Sequence, residues 1–346
     1  MQKVAIVILN FNGCKFLEKF LPGLLEHSST YPIYVIDNNS SDNSLELLKA
    51  KFPQVRVIVH DRNYGFCQGY NLGLVQINAQ YYILLNSDIE VTANWIDPVI
   101  ELMEKDPSIA ACQPKIKAYH DKESFEYAGA AGGFIDKWGY PFCRGRVFNT
   151  LEKDENQYDT NLEIFWATGA CFFVRSDAFH QLEGLDKDFF AHMEEIDLCW
   201  RLKARGYKIF YCTDSEVYHV GGGTLPMDSP KKTYYNFRNG LFMLYKNLPA
   251  DRLYFVVFVR LLLDYLTFVK FALSGTFTKA FSIIKAHIDF FKEIGNLKIK
   301  RKKNFIVEDY KKMTGVYGRS LFIDYFILQK KKFEELPPLN ENKPSF

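Results

Sequence analysis

In ILLNSDIEV (83–91) an apolar run that begins at Tyr81 stops at Leu85 and gives way to Asn86, Ser87 and Asp88. A short apolar run ending in polar residues reads as a buried strand with a carboxylate at its carboxyl end. Open α/β sheets bind ligands and metals at that end of their strands. The chain upstream repeats the pattern. VAIVIL (4–9) runs into Asn10 and Asn12, IYVI (33–36) closes in Asp37, and VRVIV (55–59) forms a third strand. Helical patterns lie between them: over 15–27, over a segment carrying Leu45, Leu47 and Leu48 that Ser41, Asp42 and Asn43 can cap, and over 65–77. Continuous β-branched strands alternating with helices predict a doubly wound, mostly parallel α/β sheet. Asn10, Asp37 and Asn86–Asp88 then share one rim.

Downstream the pattern loosens. From 110 to 165 an aromatic, polar stretch is punctuated by Gly129, Gly132, Gly133, Gly139 and Gly145 and reads as long loops and hairpins. Order returns with ACFFVR (170–175), helices near 176–182 and 195–205, and strands at 208–211 and 216–219.

Charge divides the chain. Residues 1–230 carry 21 Lys+Arg and 31 Asp+Glu, a net of −10, whereas residues 231–346 carry 22 and 10, a net of +12. An acidic body with a basic, aromatic tail points to two regions with different partners. In the tail, 252–273 is strongly apolar, with Arg252, Arg260, Asp264, Thr267 and Lys270 on one helical edge. Residues 277–294 are again amphipathic, and KIKRKK (298–303) follows. No uncharged run reaches the ~20 residues of a spanning helix. The pattern fits a helical pair lying on a membrane, or packed on the body or on a second copy. An anionic membrane surface is favoured over nucleic acid as the partner of the basic charge. The seven cysteines make no CxxC pair and read as core residues of a protein in a reducing compartment. The opening residues read as a strand rather than a secretory leader.

Four further clusters carry chemistry. DNNSSDNS (37–44) leads from a strand into a helix, where Asp37 is suited to accept a pyrimidine imide N–H and Asn39 lies near the helix start; an Asx turn with a helix cap explains the same residues. DRNYGFCQGYNLG (61–73) sets Arg62 and Asn63 before a helix interrupted by glycines. Gly65 there lets backbone approach a ligand, and Arg62 can neutralise phosphate; close helix–sheet packing at glycine is the plainer reading. HMEEIDLCWRL (192–202) gathers Glu194, Glu195 and Asp197 at a helix start, as general-base candidates or as acids suited to the helix dipole. His219 ends a strand ahead of three glycines and is a candidate ligand of metal or phosphate. Asp88 is the main metal candidate, since a divalent cation on a diphosphate needs few protein carboxylates.

Taken in order, LNFN (9–12), DNNSSD (37–42), RNYGFCQGYN (62–71), NSD (86–88), ATGACFFVR (167–175) and EEIDLCWR (194–201) resemble the blocks of glycosyltransferase family 2, over roughly residues 3–245. NSD and TGACFFVR look most like the bacterial rhamnosyltransferase-like branch that builds surface polysaccharide. The resemblance implies a GT-A nucleotide-sugar transferase domain over 1–230, with a basic helical region over 231–346. It implies an inverting transfer from a UDP- or dTDP-linked sugar to a hydroxyl of a glycan or lipid-linked acceptor, in the cytoplasm at the inner face of the plasma membrane. In that scheme Asn10, Asn12, Asp37, Asn39, Arg62, Asn63, Gly65 and Asn86 line the nucleotide site. Asp88 and His219 hold Mn2+ or Mg2+, Arg238 in YYNFRNG (234–240) reaches the leaving diphosphate, and Glu195 is the base, with Glu194 and Asp197 beside it. Two residues depart from the family pattern: Asn86 replaces the first Asp of D-x-D, and Glu195 stands where an Asp is usual. Two rival readings are a catalytically inactive nucleotide-sugar-binding or assembly protein and a sugar-1-phosphate nucleotidyltransferase. The latter needs a Gly-rich loop where this chain has Asn10, Phe11, Asn12 and Gly13.

Overall fold

A computed structural model describes residues 2–221, 229–304 and 313–339. Four parallel strands form its open half: β1 (Gln2–Asn10), β2 (Ile33–Asp37), β3 (Arg56–Val59) and β4 (Ala79–Leu85), paired in the order β4-β1-β2-β3. Alternate residues of β1 serve two cores. Val4, Ile6 and Ile8 pack with Leu17, Leu21 and Leu24 of α1 (Cys14–His27) and Leu47 and Leu48 of α2 (Ser44–Lys51). Ala5 and Val7 face Cys67, Tyr70 and Leu74 of α3 (Gly65–Leu74). Both faces are therefore covered, as β-branched strands without polar alternation require.

Beyond β4 the sheet becomes mixed. After β5 (Ile89–Val91) and α4 (Asp97–Lys105), the long β6 (Ile109–Ala118) runs through the sheet, and β12 (Cys171–Arg175) lies antiparallel between it and β4. The segment expected to be loops thus opens with a buried strand. Its sequence, IAACQPKIKA, hides this because Gln113 and Lys115 are buried polar residues. Gln113 is satisfied by distant loops: its Nε2 donates to the carbonyl of Gly129, and its Oε1 accepts from Thr168 N. The rest of the segment forms the expected hairpins, β7 (Gly133–Asp136), β8 (Pro141–Cys143), β9 (Arg146–Val147) and β10 (Thr150–Leu151), as a small second sheet. β11 (Leu162–Ile164) lies at the main sheet's edge. α5 (Ser176–Gln181) and α6 (Glu194–Lys203) follow, and then β13 (Lys208–His219), one irregular strand where two were expected.

The break at residue 230 divides the charge, not the packing. α7 (Pro230–Asn247) packs against α6 and against α9 (Phe277–Lys303), which forms a hairpin with α8 (Ala250–Leu273). β14 (Val316–Tyr317) adds a parallel strand to β7, and the Phe333 ring sits 5.1 Å from that of Phe134. The basic run 298–303 is not a free tail either. It is the last turns of α9, and Lys300 pairs with Asp186 and Asp188 while Arg301 donates to the Tyr245 carbonyl at 2.8 Å. All seven cysteines are unpaired, and six are buried.

Candidate active site

The carboxyl ends of β1, β2 and β4 meet on one rim, as their sequence predicts. Asn10 Nδ2 donates to Asp37 Oδ2 at 2.9 Å and to Ser40 Oγ at 3.1 Å, and Asp37 Oδ1 accepts from Ser40 N at 2.8 Å. Asp37 is fully buried by this turn. In this conformation both carboxylate oxygens are taken by the turn, which shapes the rim. Asn12 and Asn39 both take left-handed backbone (φ 54° and 63°), a conformation Asn tolerates in turns. Asn12 Oδ1 accepts from Ser41 N at 2.7 Å, and Asn39 is exposed.

The second wall comes from the 61–65 loop. Asn38, buried, ties it down: Nδ2 donates to Asn63 Oδ1 at 3.0 Å, and Oδ1 accepts from Tyr64 N. Arg62 lies exposed, its guanidinium 4.7 Å from the Tyr64 ring centroid. Gly65 is required twice over, by its φ of +75° and by the Phe190 ring, which a Cβ would meet at 2.6 Å.

At the end of β4, Asp88 Oδ1 lies 3.2 Å from His219 Nε2, at the end of β13, and Asn86 Nδ2 is 3.5 Å from the same nitrogen. Glu126 Oε1 lies 3.4 Å from His219 Nδ1. Burial works against charge on this imidazole, but Glu126 and Asp88 prevail and raise its pKa to about 10. Glu126 escaped the sequence reading because it sits in the unpatterned 110–165 stretch. Among the described residues no three His, Cys, Asp or Glu side chains converge on one point. A cation here would meet two donors, Asp88 and, once its imidazole gives up a proton, His219, with Glu126 behind the ring to orient it. That set fits a divalent cation whose remaining positions go to diphosphate oxygens and water.

The 168–170 segment joins this rim to the start of α6. Asn86 N donates to the Ala170 carbonyl at 2.9 Å, and the Gly169 N–H donates to the Glu195 carboxylate. Burial raises the Glu195 pKa to about 7 against the pull of its backbone donors, and Oε2 has no partner. Burial and the neighbouring Glu195 push the Glu194 pKa well above the ordinary glutamate value. Asp197 sits within an ion-pair network. It is fully buried, accepting from Arg201 Nε at 2.8 Å, Lys246 Nζ at 3.0 Å and Asn247 Nδ2 at 2.8 Å.

Arg238 is tied to the loop ahead of α6: its NH2 group donates to the carbonyls of Asp188 and Phe189, and its Nε to Asn239 Oδ1. Asn239, buried on α7 and missed in the sequence, faces the carbonyls of Phe189, Ala191 and His192 at 3.0, 2.9 and 2.8 Å. The loop so clamped holds three non-glycine residues with left-handed backbone, Phe190, His192 and Met193 (φ 64°, 69° and 71°), immediately before Glu194. Each costs about 1–3 kcal/mol and persists only because the surroundings enforce it. Asn239→Ala is expected to lower kcat about ten- to a hundredfold by loosening Glu195, with donor affinity unchanged. Steady-state kinetics check this, and a change confined to donor KM would contradict it.

The fold, a doubly wound sheet with its polar strand ends on one rim, is of the GT-A type. This chain belongs to glycosyl transferase family 2, whose sequence pattern matches residues 5–183, and it is a glycosyltransferase. The α6 block lies outside that match. N-acetylglucosaminyl-diphospho-decaprenol L-rhamnosyltransferase of Mycobacterium tuberculosis (strain CDC 1551 / Oshkosh) is 25% identical over 233 residues, covering 62% of this chain and 75% of that protein. The dTDP-rhamnosyl transferase RfbF of Shigella flexneri is 23% identical over 264 residues, covering 71% and 81%. Among solved structures, GalNAc-T7 with UDP, GalNAc and Mn2+ has a TM-score of 0.54 at 19% identity, over 71% of this chain and 48% of that one. The present chain thus spans about half of that structure's length, and the likeness is one of fold.

Proposed function

We propose that this enzyme transfers rhamnose, with inversion, from a dTDP- or UDP-linked donor to a hydroxyl of a lipid-linked glycan during synthesis of bacterial surface polysaccharide. The observation that supports this is that residues 168–170 adjoin both halves of the proposed site: Ala170 accepts from Asn86 N, and the Gly169 backbone lies beside Glu195, whose Oε2 has no partner. The printed activities of the mycobacterial and Shigella relatives support rhamnose as the sugar, and the first of them supports a lipid-diphosphate acceptor.

In this reading Glu195, deprotonated, takes the acceptor hydroxyl proton as the oxygen attacks the anomeric carbon. The bond from that carbon to the diphosphate oxygen breaks on the opposite face, and the nucleoside diphosphate departs with the electron pair. Asp88 and His219 would hold a divalent metal, which supplies charge neutralisation at the departing diphosphate. The Asn10–Asp37–Ser40 turn and the 61–65 loop shape the nucleotide wall. The reaction takes place in the cytoplasm at the inner face of the plasma membrane, where donor and lipid-linked acceptor meet.

A thermal-shift screen of nucleotide sugars with and without Mn2+ tests this. A donor at 100 times its Kd stabilises by about 2.7 kcal/mol. Asp88→Ala is expected to abolish the Mn2+-dependent part of that shift. An unchanged Mn2+-dependent shift in the variant would remove Asp88 from the role.

A further inference from the structure

We propose that the α8–α9 hairpin is a docking face for an anionic lipid bilayer and lies flat in its headgroup layer. The hairpin alone supports this, so the proposal goes beyond the acceptor reading and stands without it. α8 is amphipathic in reverse. Its mid-helix charges, Arg260 and Asp264, are 3% and 0% exposed. Arg260 Nε donates to Asp264 Oδ1 at 2.8 Å, its guanidinium lies 3.9 Å from the Tyr140 ring centroid, and His287 Nε2 of α9 lies 3.2 Å from Asp264 Oδ2. Outward, at least half exposed, go Tyr254, Phe255, Phe258, Leu262, Tyr265 and Leu266. A helix folded for water turns these faces the other way. Here a satisfied ionic network locks the polar edge inward, so the apolar face belongs to the folded state.

α9 extends the pattern. Phe277, Phe281, Ile284, Ile288 and Phe291 recur at helical spacing and are exposed, with Lys285 and Lys292 exposed beside them; the two lysines share one carboxylate, Asp289, and leave a net positive charge there. The two faces fit one occupant. Exposed rings enter the boundary between headgroups and acyl chains while lysines reach lipid phosphates. A second copy would offer the same net-positive patch and no anionic partner for its lysines. Among the described residues no helix is long and apolar enough to cross a membrane, so the contact is in-plane. At 24 residues and about 1.5 Å each, α8 would lie along some 36 Å of surface. The run 298–303 contributes less than its sequence promises, because Lys300 and Arg301 are held by the body.

Co-sedimentation of the full-length protein with phosphatidylcholine vesicles, with and without phosphatidylglycerol, tests this. The wild type is expected to bind the anionic vesicles, less so as salt rises. Phe258→Glu and Phe281→Glu should each weaken binding about tenfold or more, and Lys285→Glu with Lys292→Glu should abolish the preference for phosphatidylglycerol. Thermal unfolding and donor hydrolysis should stay at wild-type levels in all of them, which shows that the fold and the catalytic site are intact. Wild-type protein that ignores vesicles, or Phe258→Glu protein that binds them equally well, would overturn the proposal. So would a dimer in analytical ultracentrifugation that Phe258→Glu dissociates.

Discussion

Glu195→Gln is expected to lower turnover about 10²–10⁴-fold, the usual worth of a general base, while donor affinity stays within about twofold. Gln keeps the side chain's shape and its contact with the Gly169 N–H but cannot take a proton. Glu195 Oε2 has no partner within the fold, so its lone pairs are uncommitted, and a pKa near 7 is matched to proton transfer at physiological pH. A base works in its deprotonated form. The wild-type rate should therefore rise as pH increases through about 7 and level off above it, and Glu195→Gln should lose that limb. Glu194→Gln separates the two neighbours. Burial and Glu195 push the Glu194 pKa up and so favour its neutral form, which an amide mimics; Glu194→Gln should leave turnover near wild type. Rate–pH profiles of the three proteins check both statements, and a full-sized loss in Glu194→Gln would reassign the base.

Asp197→Ala should destabilise the fold by about 3–5 kcal/mol, because it strands buried cations in the middle of a network. Asp197 neutralises Arg201 of its own helix and Lys246 of α7, and Lys246 also pairs with Asp186, which Lys300 of α9 reaches as well. One carboxylate thus ties α6 to α7 and, through Asp186, to α9. Burial opposes its ionisation, but Lys246 and Arg201 prevail and hold its pKa below the ordinary aspartate value; Asp186 is lowered in the same way. A lowered folded pKa gives stability that is present above the ordinary value and is lost as pH falls through the folded one. Acid unfolding of the wild type should show this dependence, and Asp197→Ala should weaken it. Chemical denaturation measures the loss. A variant within about 1 kcal/mol of wild type would show that the pairs are worth no more than surface ones.

The parallel half of the sheet was legible because β1, β2 and β4 are buried on both faces, which leaves continuous apolar runs ending in polar residues. The acids at the α6 start were legible too, but not their division of labour. Asp197 is set apart from Glu195 by Lys246 and Asn247, some fifty residues away in sequence. β6 stayed hidden because Gln113 and Lys115 find their partners in loops. The role of Asn239 depends on carbonyls of a left-handed loop, which no local pattern announces. In the tail both segments were helices as expected, but α9 buries Ala280, Ile283, Ala286, Phe290 and Leu297 and leaves the expected apolar stripe exposed beside Lys285 and Lys292. The direction in which α8 faces was set by Tyr140 and Gly139, on a hairpin more than a hundred residues upstream.

The most direct test of the catalytic account is release of nucleoside diphosphate from dTDP-rhamnose and UDP-sugars without an acceptor. Slow release is predicted for the wild-type protein with Mn2+ or Mg2+, suppressed by chelation and by Asp88→Ala. Absence of release from every such donor, or release that needs added pyrophosphate, or release that survives both chelation and Asp88→Ala, would contradict it.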